Sequence, residues 1–402
     1  MQINQLFALL IGTFVVVGCS ETSTNNNHDP IDSTLSEWDL VWSDEFDGDF
    51  VDDLKWNILL WGPGRVNDEL QAYTEETDNI FIENGHLVIQ ALYQPGYTGT
   101  DSQGNGYTTN YTSGRLNTAD KAEWTTGRFE INAKLPKGIG SWPAIWMLGS
   151  SISTVGWPAC GEIDIMEHVG YDEGNIHASI HTTDYNHNLG TQKSGYLTVP
   201  TATNSFHVYA LEWTSNYLYF MVDDTPYHFV YNDSEGDKNK WPFDENIFII
   251  LNVAVGGSWG GAQGIDNTAF PMQMAVDYVR VYEASDQHND IDVTFQVNMT
   301  GKLVAGTGVR LSGGTIGSGQ PGGIAMHDPD GDGIWSVTLS LPKGSVHTYK
   351  FRNGYYPDSW NLGWESVPDD CGFGQNNNRQ FTVTETDTIL PPVCFNECTD
   401  CD

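Results

Sequence analysis

Residues 161–167 read Gly161-Glu162-Ile163-Asp164-Ile165-Met166-Glu167 and place three acids in one short stretch of alternating apolar and polar residues. Alternate residues of a β-strand share a face, so Glu162 and Asp164 face one way and the two isoleucines face the core. Glu167 has the opposite parity, and an unpaired carboxylate buried there would be costly. One extra residue, bulged near Met166, returns Glu167 to the face of the other acids. The stretch therefore predicts a strand that presents three carboxyl groups together.

Three neighbouring carboxyl groups raise one another's pKa, because each negative charge disfavours the next. Glycoside hydrolysis requires two carboxyl groups in different states, one ionised and one protonated. Strand positions on either side of Asp164 lie roughly 13 Å apart at Cα, and glutamates that lean together reach the roughly 5–5.5 Å of a retaining pair. An inverting pair would need space for a water. The alternatives are a solvated strand face or a cation site.

Aromatic and imidazole side chains flank the acidic strand. Residues 141–148 read Ser141-Trp142-Pro143-Ala144-Ile145-Trp146-Met147-Leu148, and their two tryptophans share one strand face. These indoles are either stacking platforms for sugar rings or core aromatics. Residues 176–181 read Ile176-His177-Ala178-Ser179-Ile180-His181, with both histidines opposite the apolar side. They predict a proton network beside the carboxyl groups, with a metal site as the alternative.

Short alternating runs of this kind fill residues 37–283, separated by Gly, Pro, Asn and Asp. Strands at such close spacing predict an antiparallel β sandwich. A polar break at 284–290 precedes a second alternating region, residues 291–402, which predicts a smaller β sandwich that folds by itself. The fold class is therefore all-β. Representative runs are Leu87-Val88-Ile89-Gln90-Ala91, Gly127-Arg128-Phe129-Glu130-Ile131-Asn132-Ala133 and Tyr217-Leu218-Tyr219-Phe220-Met221-Val222.

The charge balance excludes some partners. The 402 residues include 17 Lys and Arg against 53 Asp and Glu, a formal net charge of −36. Such a surface repels phosphate backbones and anionic lipid headgroups, so we expect no nucleic-acid partner. A neutral or cationic partner fits this field, and we expect a monomer that acts on a polysaccharide.

The N-terminus predicts export. Residues 6–18 are apolar but too few to span a bilayer, so residues 1–19 form a signal peptide. Val16-Val17-Gly18-Cys19 resembles a bacterial lipobox, in which Cys19 carries the lipid; an ordinary secretory signal is the alternative. Polar residues 20–36 then form a tether. We expect a cell-surface or outer-membrane lipoprotein of a bacterium, or otherwise a secreted protein, with no membrane contact beyond this anchor.

The other cysteines crowd into the tail. Export makes disulfides the expected state of Cys371, Cys394, Cys398 and Cys401, with their connectivity open. The Cys-x-x-Cys spacing at the end of the chain leaves half of a zinc site as an alternative. Cys160 is predicted to be a small buried packing residue.

Residues 37–283 resemble glycoside hydrolase family 16 in its laminarinase-like branch, which acts on β-1,3-glucan. The resemblance implies a concave, concanavalin-like β-jelly roll with retaining endo-hydrolysis in its cleft. The matching stretches are Ser43-Asp44-Glu45-Phe46, Ser113-Gly114-Arg115-Leu116, the segments 142–148 and 161–167, Asn252-Val253-Ala254-Val255-Gly256-Gly257 and Val276-Asp277-Tyr278-Val279-Arg280-Val281-Tyr282.

The resemblance also implies roles for individual residues. Glu162 would be the nucleophile, Glu167 the acid/base and Asp164 the residue that hydrogen-bonds the nucleophile. Met166 gives the bulged form of the laminarinase-like and some galactan-active branches, which members specialised for lichenan typically lack. No cofactor is implied for catalysis. The implied substrate contacts are Trp142, Trp146, Asn67, Arg115 and His181, and the oxygens for one structural calcium ion come from Glu45, Gly85 and Asp277.

The tail resembles small β-sandwich modules appended to secreted polysaccharidases, which implies carbohydrate binding. Trp335, Trp360 and Trp364 are either stacking residues or core. Asp328-Pro329-Asp330-Gly331-Asp332-Gly333 resembles the start of an EF-hand loop, but Leu339 stands where that loop needs a glutamate, which favours a tight turn.

The function that these patterns favour is retaining endo-hydrolysis of β-1,3 bonds in a laminarin-like glucan. One alternative is the same fold and mechanism on mixed-linkage β-glucan or on a galactan such as agarose. An alternative of another class is a non-catalytic β-glucan receptor, which would be expected to have lost one of the paired glutamates.

Overall fold

The computed structural model describes residues 38–285, 290–317, 322–399 and 401. The predicted signal peptide 1–19 with Cys19, the tether 20–36 and the middle of the linker 284–290 lie outside these residues. Within the described ranges, no helix combines the length and the apolar character that crossing a bilayer requires.

Strands dominate the described chain, and the predicted all-β class is confirmed. A four-residue helix, α1 (Ile152–Val155), lies between the strand that ends at Gly149 and the strand that begins at Glu162. In chain order the strands are β1 (Trp38–Asp44), β2 (Asn57–Ile58), β3 (Gln71–Tyr73), β4 (Ile80–Glu83), β5 (His86–Thr100), β6 (Gly106–Ser113), β7 (Arg115–Asn117), β8 (Gly127–Lys134), β9 (Ser141–Gly149), β10 (Glu162–Glu167), β11 (Asn175–His181), β12 (Lys193–Thr198), β13 (His207–Trp213), β14 (Tyr217–Val222), β15 (Thr225–Tyr231), β16 (Ile247–Val255), β17 (Met272–Ala284), β18 (Ile291–Asn298), β19 (Val309–Ser312), β20 (Ile324–Ala325), β21 (Ile334–Leu341), β22 (Val346–Asn353), β23 (Arg379–Thr382), β24 (Thr388–Ile389) and β25 (Val393–Cys394).

Two large sheets form the first part of the chain. Ten strands make one sheet in the order β15-β14-β13-β8-β17-β5-β6-β3, with β1 paired to β17 and β4 paired to β5. Seven strands make the other in the order β12-β11-β10-β9-β16-β7-β2. Sequential strands such as β16 and β17 lie in different sheets, so the chain crosses repeatedly between them. This is the predicted β-jelly-roll sandwich.

The main core lies between these two sheets. Burial alternates along β8, where Phe129 and Ile131 are inaccessible and their neighbours are partly exposed. Ile249 and Leu251 on β16 belong to the same hydrophobic cluster from the opposite sheet. The strict alternation is what two facing pleated sheets require, and it fixes which side chains face away from the core.

The outer face of the seven-stranded sheet is also partly covered, since all nine residues of β16 are buried. Two small apolar clusters lie on this face. One contains Leu148, Phe248 and the free thiol of Cys160, which is a buried packing residue as predicted. The other contains Trp142 and Ala254. Polar side chains of β10 and β11 share this outer face.

The tail forms two further sheets. One has the order β21-β18-β24 with β25 paired to β18, and the other has the order β20-β19-β22-β23. Disulfides join Cys371 to Cys398 and Cys394 to Cys401. The EF-hand-like segment is a turn before β21, in which the carboxylate of Asp328 accepts hydrogen bonds from two backbone N–H groups.

The tail shares a hydrophobic cluster with strands β13, β14 and β15 of the ten-stranded sheet. His347 lies against the rings of Tyr219 and Phe229, at centroid distances of 5.7 and 5.0 Å. The hydroxyl of Tyr217 donates to Asp290 Oδ1 at 2.8 Å. The polar break at 284–290 predicts a tail that folds by itself. The shared cluster indicates instead that each part buries apolar surface of the other.

Candidate active site

The acidic strand β10 contains the predicted bulge. In the pairing of β10 with β9, Asp164 lies opposite Trp146 and Met166 lies opposite Ile145. These partners are adjacent on β9 but two residues apart on β10, so the register shifts between them. Ile165, between Asp164 and Met166, is the extra residue of the bulge. It packs in the main core together with Met166, so the added residue takes up core space. Glu167 thereby returns to the outer face of the seven-stranded sheet.

His181 connects two of the acids. It lies directly across from Glu162 on β11, and its Nε2 is 3.7 Å from Glu162 Oε1 and 3.2 Å from Asp164 Oδ2. Burial raises the pKa of both carboxyl groups, and the charge of Asp164 raises the pKa of Glu162 further. Closely spaced carboxyl groups in such a site share protons rather than ionise together.

The third acid has a different neighbour. Trp142 Nε1 donates a hydrogen bond of 2.9 Å to Glu167 Oε1. The pKa of Glu167 is raised to about 8, mainly by burial and further by the charge of Asp164, against the opposing effect of the Trp142 hydrogen bond. A carboxyl group with this pKa is protonated at neutral pH and can act as a general acid.

Trp142 forms a buried wall of the site and is not an open platform. It is 9 % exposed, and its ring meets that of Trp259 edge to face at 5.5 Å. Trp259 in turn contacts His177 edge to face at 5.1 Å, and His177 lies across from Glu167 on β11. The indole therefore holds Glu167 from one side while Trp259 and His177 pack around it.

Trp146 and Arg115 form a second wall. The Trp146 ring is partly exposed, and its Nε1 donates to Asn252 Oδ1 at 2.8 Å. The Arg115 guanidinium carbon lies 4.8 Å from the Trp146 ring centroid and 4.2 Å from that of Trp61. Burial lowers the pKa of Arg115, and the charges of Tyr73 and Glu69 oppose that change. A cation between two indoles gives a flat, amphipathic surface beside the acids.

Asn67 reaches the site through Glu69. The side-chain amide of Asn67 donates to Glu69 Oε1 at 3.3 Å. The backbone carbonyl of Asn67 accepts from the backbone N–H of Ser258, which precedes Trp259. Glu69 is buried and also accepts from Gln71 at 2.8 Å. Burial raises the pKa of Glu69. This fourth carboxyl group adds to the charge that acts on Glu167.

Two clusters among the described residues could supply ligands to a metal ion, Glu162, Asp164 and His181 in this site and Asp328, Asp330 and Asp332 in the tail turn. Donor atoms of Glu162, Asp164 and His181 lie within 4.8 Å of one another, a set that fits proton sharing as well as a metal. The predicted calcium ligands lie elsewhere, on strands and a turn of the ten-stranded sheet. Both oxygens of Glu45 accept from Arg280, at 3.0 and 2.8 Å.

The other predicted calcium ligands are also engaged with protein groups. The Asp277 carboxylate accepts from Asn132 Nδ2 at 2.9 Å and lies 3.1 Å from His86 Nδ1. Gly85 adopts a positive φ of 76° in the turn just before His86. Because these carboxylates already have partners, a calcium ion would depend on backbone carbonyl oxygens, and it stays a prediction.

A family model described as "Glycosyl hydrolases family 16" matches residues 67–280, slightly more than half of the chain. The chain belongs to glycosyl hydrolase family 16. The matched region contains the three acids, both walls of the site and the strands that carry them. In this family 16 glycoside hydrolase, the three acids lie together on the outer face of the seven-stranded sheet.

Similar proteins cover the same region. The chain is 47 % identical over 276 residues to the beta-glucanase of Rhodothermus marinus, which covers 67 % of this chain and 91 % of that protein. It is 35 % identical to glucan endo-1,3-beta-glucosidase A1 of Niallia circulans over 63 % of this chain and 39 % of that protein. The solved laminarinase of Rhodothermus marinus covers 62 % of this chain and 98 % of its own, at 47 % identity and a TM-score of 0.57.

The structure brings most of the predicted site residues of this family 16 member together. The three acids lie on one strand, where His181 contacts Glu162 and Asp164 and Trp142 contacts Glu167, and Trp146 and Arg115 form the adjacent wall. Sequence reasoning missed Trp259, Asn252, Trp61 and Glu69. Asn252 has the parity of the outer face within an apolar strand, a signal that could have revealed it. The others lie outside regular alternating runs or at isolated bridges.

Proposed function

We propose that this chain is a retaining endo-glucanase that cleaves β-1,3 bonds in laminarin-like glucans. The observation that carries the proposal is the placement of Glu162 and Glu167 on one face of β10, on either side of the Asp164–His181 pair. The bulge that achieves this placement lies in a chain 47 % identical to a beta-glucanase.

In the first step, a carboxylate oxygen of Glu162 attacks the anomeric carbon of the glucosyl unit. The bond from that carbon to the bridging oxygen breaks, and Glu167 gives its proton to the departing oxygen. The raised pKa of Glu167 keeps that proton in place until the bond breaks. The product of this step is a covalent glucosyl ester of Glu162 with the opposite anomeric configuration.

In the second step, the ionised Glu167 removes a proton from a water that attacks the same carbon. The ester bond to Glu162 breaks, its carboxylate is released and the original β configuration is restored. The raised pKa of Asp164 lets it hold the proton that the pair shares, and the charge of His181 lowers the pKa of Glu162, so that Glu162 is ionised when it attacks and when it leaves. Trp142 keeps Glu167 oriented through both steps.

The relatives support a β-1,3-glucan substrate. Several are named as laminarinases or endo-1,3-beta-glucosidases, including the laminarinase of Flavobacterium sp. UMI-01 at 38 % identity and a TM-score of 0.54. A keratan-sulfate endo-1,4-beta-galactosidase of Sphingobacterium multivorum is 33 % identical. The net charge of −36 opposes a sulfated polymer of that kind.

A non-catalytic receptor is the candidate of another class. A relative named beta-1,3-glucan-binding protein, from Penaeus monodon, is 30 % identical over 55 % of this chain. Both glutamates are present here, and Trp142 is hydrogen-bonded to one of them. These features favour hydrolysis.

The substrate is tested by release of reducing ends from a panel of laminarin, curdlan, lichenan, agarose and carrageenan. We expect the fastest release from laminarin and none from carrageenan. The matched control is Glu162→Gln, which keeps the side-chain volume but cannot form the ester. Faster release from agarose than from laminarin would reject the β-1,3-glucan assignment.

We also propose that the protein is exported as a monomer and anchored through a lipid on Cys19. The apolar segment 6–18 and the residues before Cys19 support this proposal. Replacing Cys19 by Ser should move the protein from the membrane fraction to the medium or the periplasm. Membrane retention of that variant would point to an anchor elsewhere.

A structural calcium ion on the ten-stranded sheet is proposed from the family resemblance alone, with backbone carbonyls near Glu45, Gly85 and Asp277 as its ligands. Its contribution would be to stability. Chelation with EDTA should lower the melting temperature, and added Ca²⁺ should restore it. A melting temperature insensitive to both would remove the calcium proposal.

A further inference from the structure

An exposed aromatic surface lies on the tail, far along the chain from the acids. Trp360 is 51 % exposed and its ring stacks on that of Trp364, and Leu362, between them in the chain, is also 51 % exposed. We call this surface the Trp360 patch. Phe373 of the tail is also exposed, at 54 %, whereas Phe295 and Phe351 are inaccessible in the tail core. A folded, disulfide-linked module that leaves an indole in water retains it at a cost in solubility, which indicates a ligand.

A buried arginine fixes the loop that carries the patch. Arg352 is fully buried, and its guanidinium donates to the carbonyls of Leu362 at 2.7 Å, Tyr356 at 3.3 Å and Ser359. These acceptors offset the cost of burying the cation. They also lock the backbone on both sides of Trp360, so the loop does not have to be ordered when a ligand binds.

The Trp360 ring itself is held flat. It is parallel to the Trp364 ring within 5°, with centroids 6.2 Å apart, and Trp364 Nε1 donates to the Trp360 carbonyl at 2.9 Å. The Arg352 guanidinium lies 4.6 Å from the Trp364 ring centroid. Trp335, in contrast, is partly buried and packs against the tail core. Of the three tail tryptophans, Trp360 is therefore the one presented to solvent as a fixed surface.

The chemistry of the patch favours a neutral ligand with a flat apolar face. The chain has a net charge of −36, and the exposed carboxylate of Asp358 lies within the same loop, so polyanions are repelled. A pyranose ring offers a face of C–H groups to an indole and a rim of hydroxyls to polar neighbours such as Asp358 and Asn361. Both neighbours are exposed.

We propose that the Trp360 patch is a second glucan-binding site, in which Trp360 stacks on a sugar ring outside the catalytic cleft. The choice of glucan as the sugar polymer rests on the proposed function. Two sites on one chain raise the effective concentration of the cleft along a long or insoluble polymer. The patch adds no group to the chemistry.

The test uses the full chain with Glu162→Gln, so that the polymer is not consumed, and measures its depletion from solution by insoluble curdlan. Trp360→Ala in this background should raise the apparent Kd about tenfold, equivalent to ~1.4 kcal/mol. Trp360→Phe keeps a flat ring and should restore most of the affinity. The matched control is Leu303→Ala, which truncates another tail side chain, 91 % exposed and outside the loop that carries Trp360.

A separate assay keeps this inference distinct from the proposed function. With active enzyme, the ratio of the rate on curdlan to the rate on soluble laminarin should fall for Trp360→Ala and stay constant for Leu303→Ala. Equal depletion of the Trp360→Ala and parent proteins by curdlan would overturn the inference. So would a Glu162→Gln parent that does not bind curdlan, provided that the active enzyme hydrolyses laminarin. An enzyme that is inactive on laminarin but shows Trp360-dependent depletion would refute the proposed function and support the patch.

Discussion

Trp142 links the wall of the site to proton transfer. Its hydrogen bond to Glu167 favours the ionised carboxylate and so lowers a pKa that burial raises to about 8. Trp142→Phe keeps an aromatic ring and removes the donor, so the pKa of Glu167 should rise by about one unit. A general acid must be protonated, and the fall of kcat/KM at high pH should therefore move to higher pH.

The control for this pH shift is Trp146→Phe. The indole N–H that this variant loses donates to Asn252, which is not an acid. The high-pH limb of the kcat/KM profile should therefore stay in place even if the rate falls. Identical high-pH limbs in both variants would show that Trp142 does not set the proton affinity of Glu167.

Glu167 also predicts a trade-off between activity and stability. Its pKa is about 8 in the folded protein and near 4.5 in an ordinary environment. Between these pH values the unfolded chain has released a proton that the folded chain retains, so rising pH destabilises the fold. Glu167→Gln cannot ionise, and its melting temperature relative to wild type should increase by several degrees from pH 5 to pH 8. A difference that is constant over this range contradicts the raised pKa.

Single residues of the site differ in how far sequence predicts them. The parity of a strand with one bulge is enough to place Glu162, Asp164 and Glu167 on a common face. The same rule puts Trp142 on their face, but its burial depends on Trp259, which comes from a distant loop. Glu69 escaped prediction because its neighbours form no alternating run, so nothing local indicates where its side chain lies.

Strand β10 keeps its bulge by burying two consecutive apolar side chains, the extra residue Ile165 and its neighbour Met166. Met166 is 0 % exposed in the main core. Met166→Ala should therefore cost about 2–5 kcal/mol in the free energy of unfolding, and it should lower kcat because Glu167 follows directly. Ile163→Val, in the regular part of the strand, should cost about 0.5–1.5 kcal/mol and leave kcat nearer to wild type. Denaturant unfolding and kinetics on laminarin measure both effects, and equal costs would show that the bulge has no special dependence on Met166.

The positions of the strands were easier to predict than the order in which the strands pair. Alternation identifies β8, β10 and β17 from local residues, because a strand with one buried face alternates apolar and polar side chains. The order β12-β11-β10-β9-β16-β7-β2 is not recorded in the same way. Strand neighbours are chosen by contacts between segments that lie far apart in the chain, such as Arg115 of β7 opposite Asn252 of β16.

The tail and the ten-stranded sheet stabilise each other. Ending the chain after Ser285 would expose Tyr217, Tyr219 and Phe229, which now lie in the shared cluster. Each large side chain returned to water costs about 1.5–3 kcal/mol. The shortened protein should melt at a lower temperature and self-associate, as measured by thermal melts and light scattering.

A variant of the shortened chain distinguishes the effect of newly exposed apolar surface on solubility from a loss of catalytic activity. The shortened chain with Tyr219→Thr and Phe229→Thr should regain solubility and, if the acids act alone, hydrolyse short soluble glucans. A shortened wild-type chain that melts like the full protein and stays monomeric would restore the independent tail that the polar break predicts. The polar break reports only on the linker, whereas the contact surface includes residues of β14 and β15.

Product stereochemistry tests the account of Glu162 and Glu167 most directly, because two displacements at one carbon restore its configuration. Laminarin is digested with a large amount of enzyme, and the anomeric protons are followed by NMR from the first minutes. The account predicts that the β-anomer of the new reducing end appears first and that the α-anomer grows later by mutarotation, with no product from Glu162→Gln. An α-anomer that appears first would contradict the retaining mechanism and the nucleophilic role of Glu162.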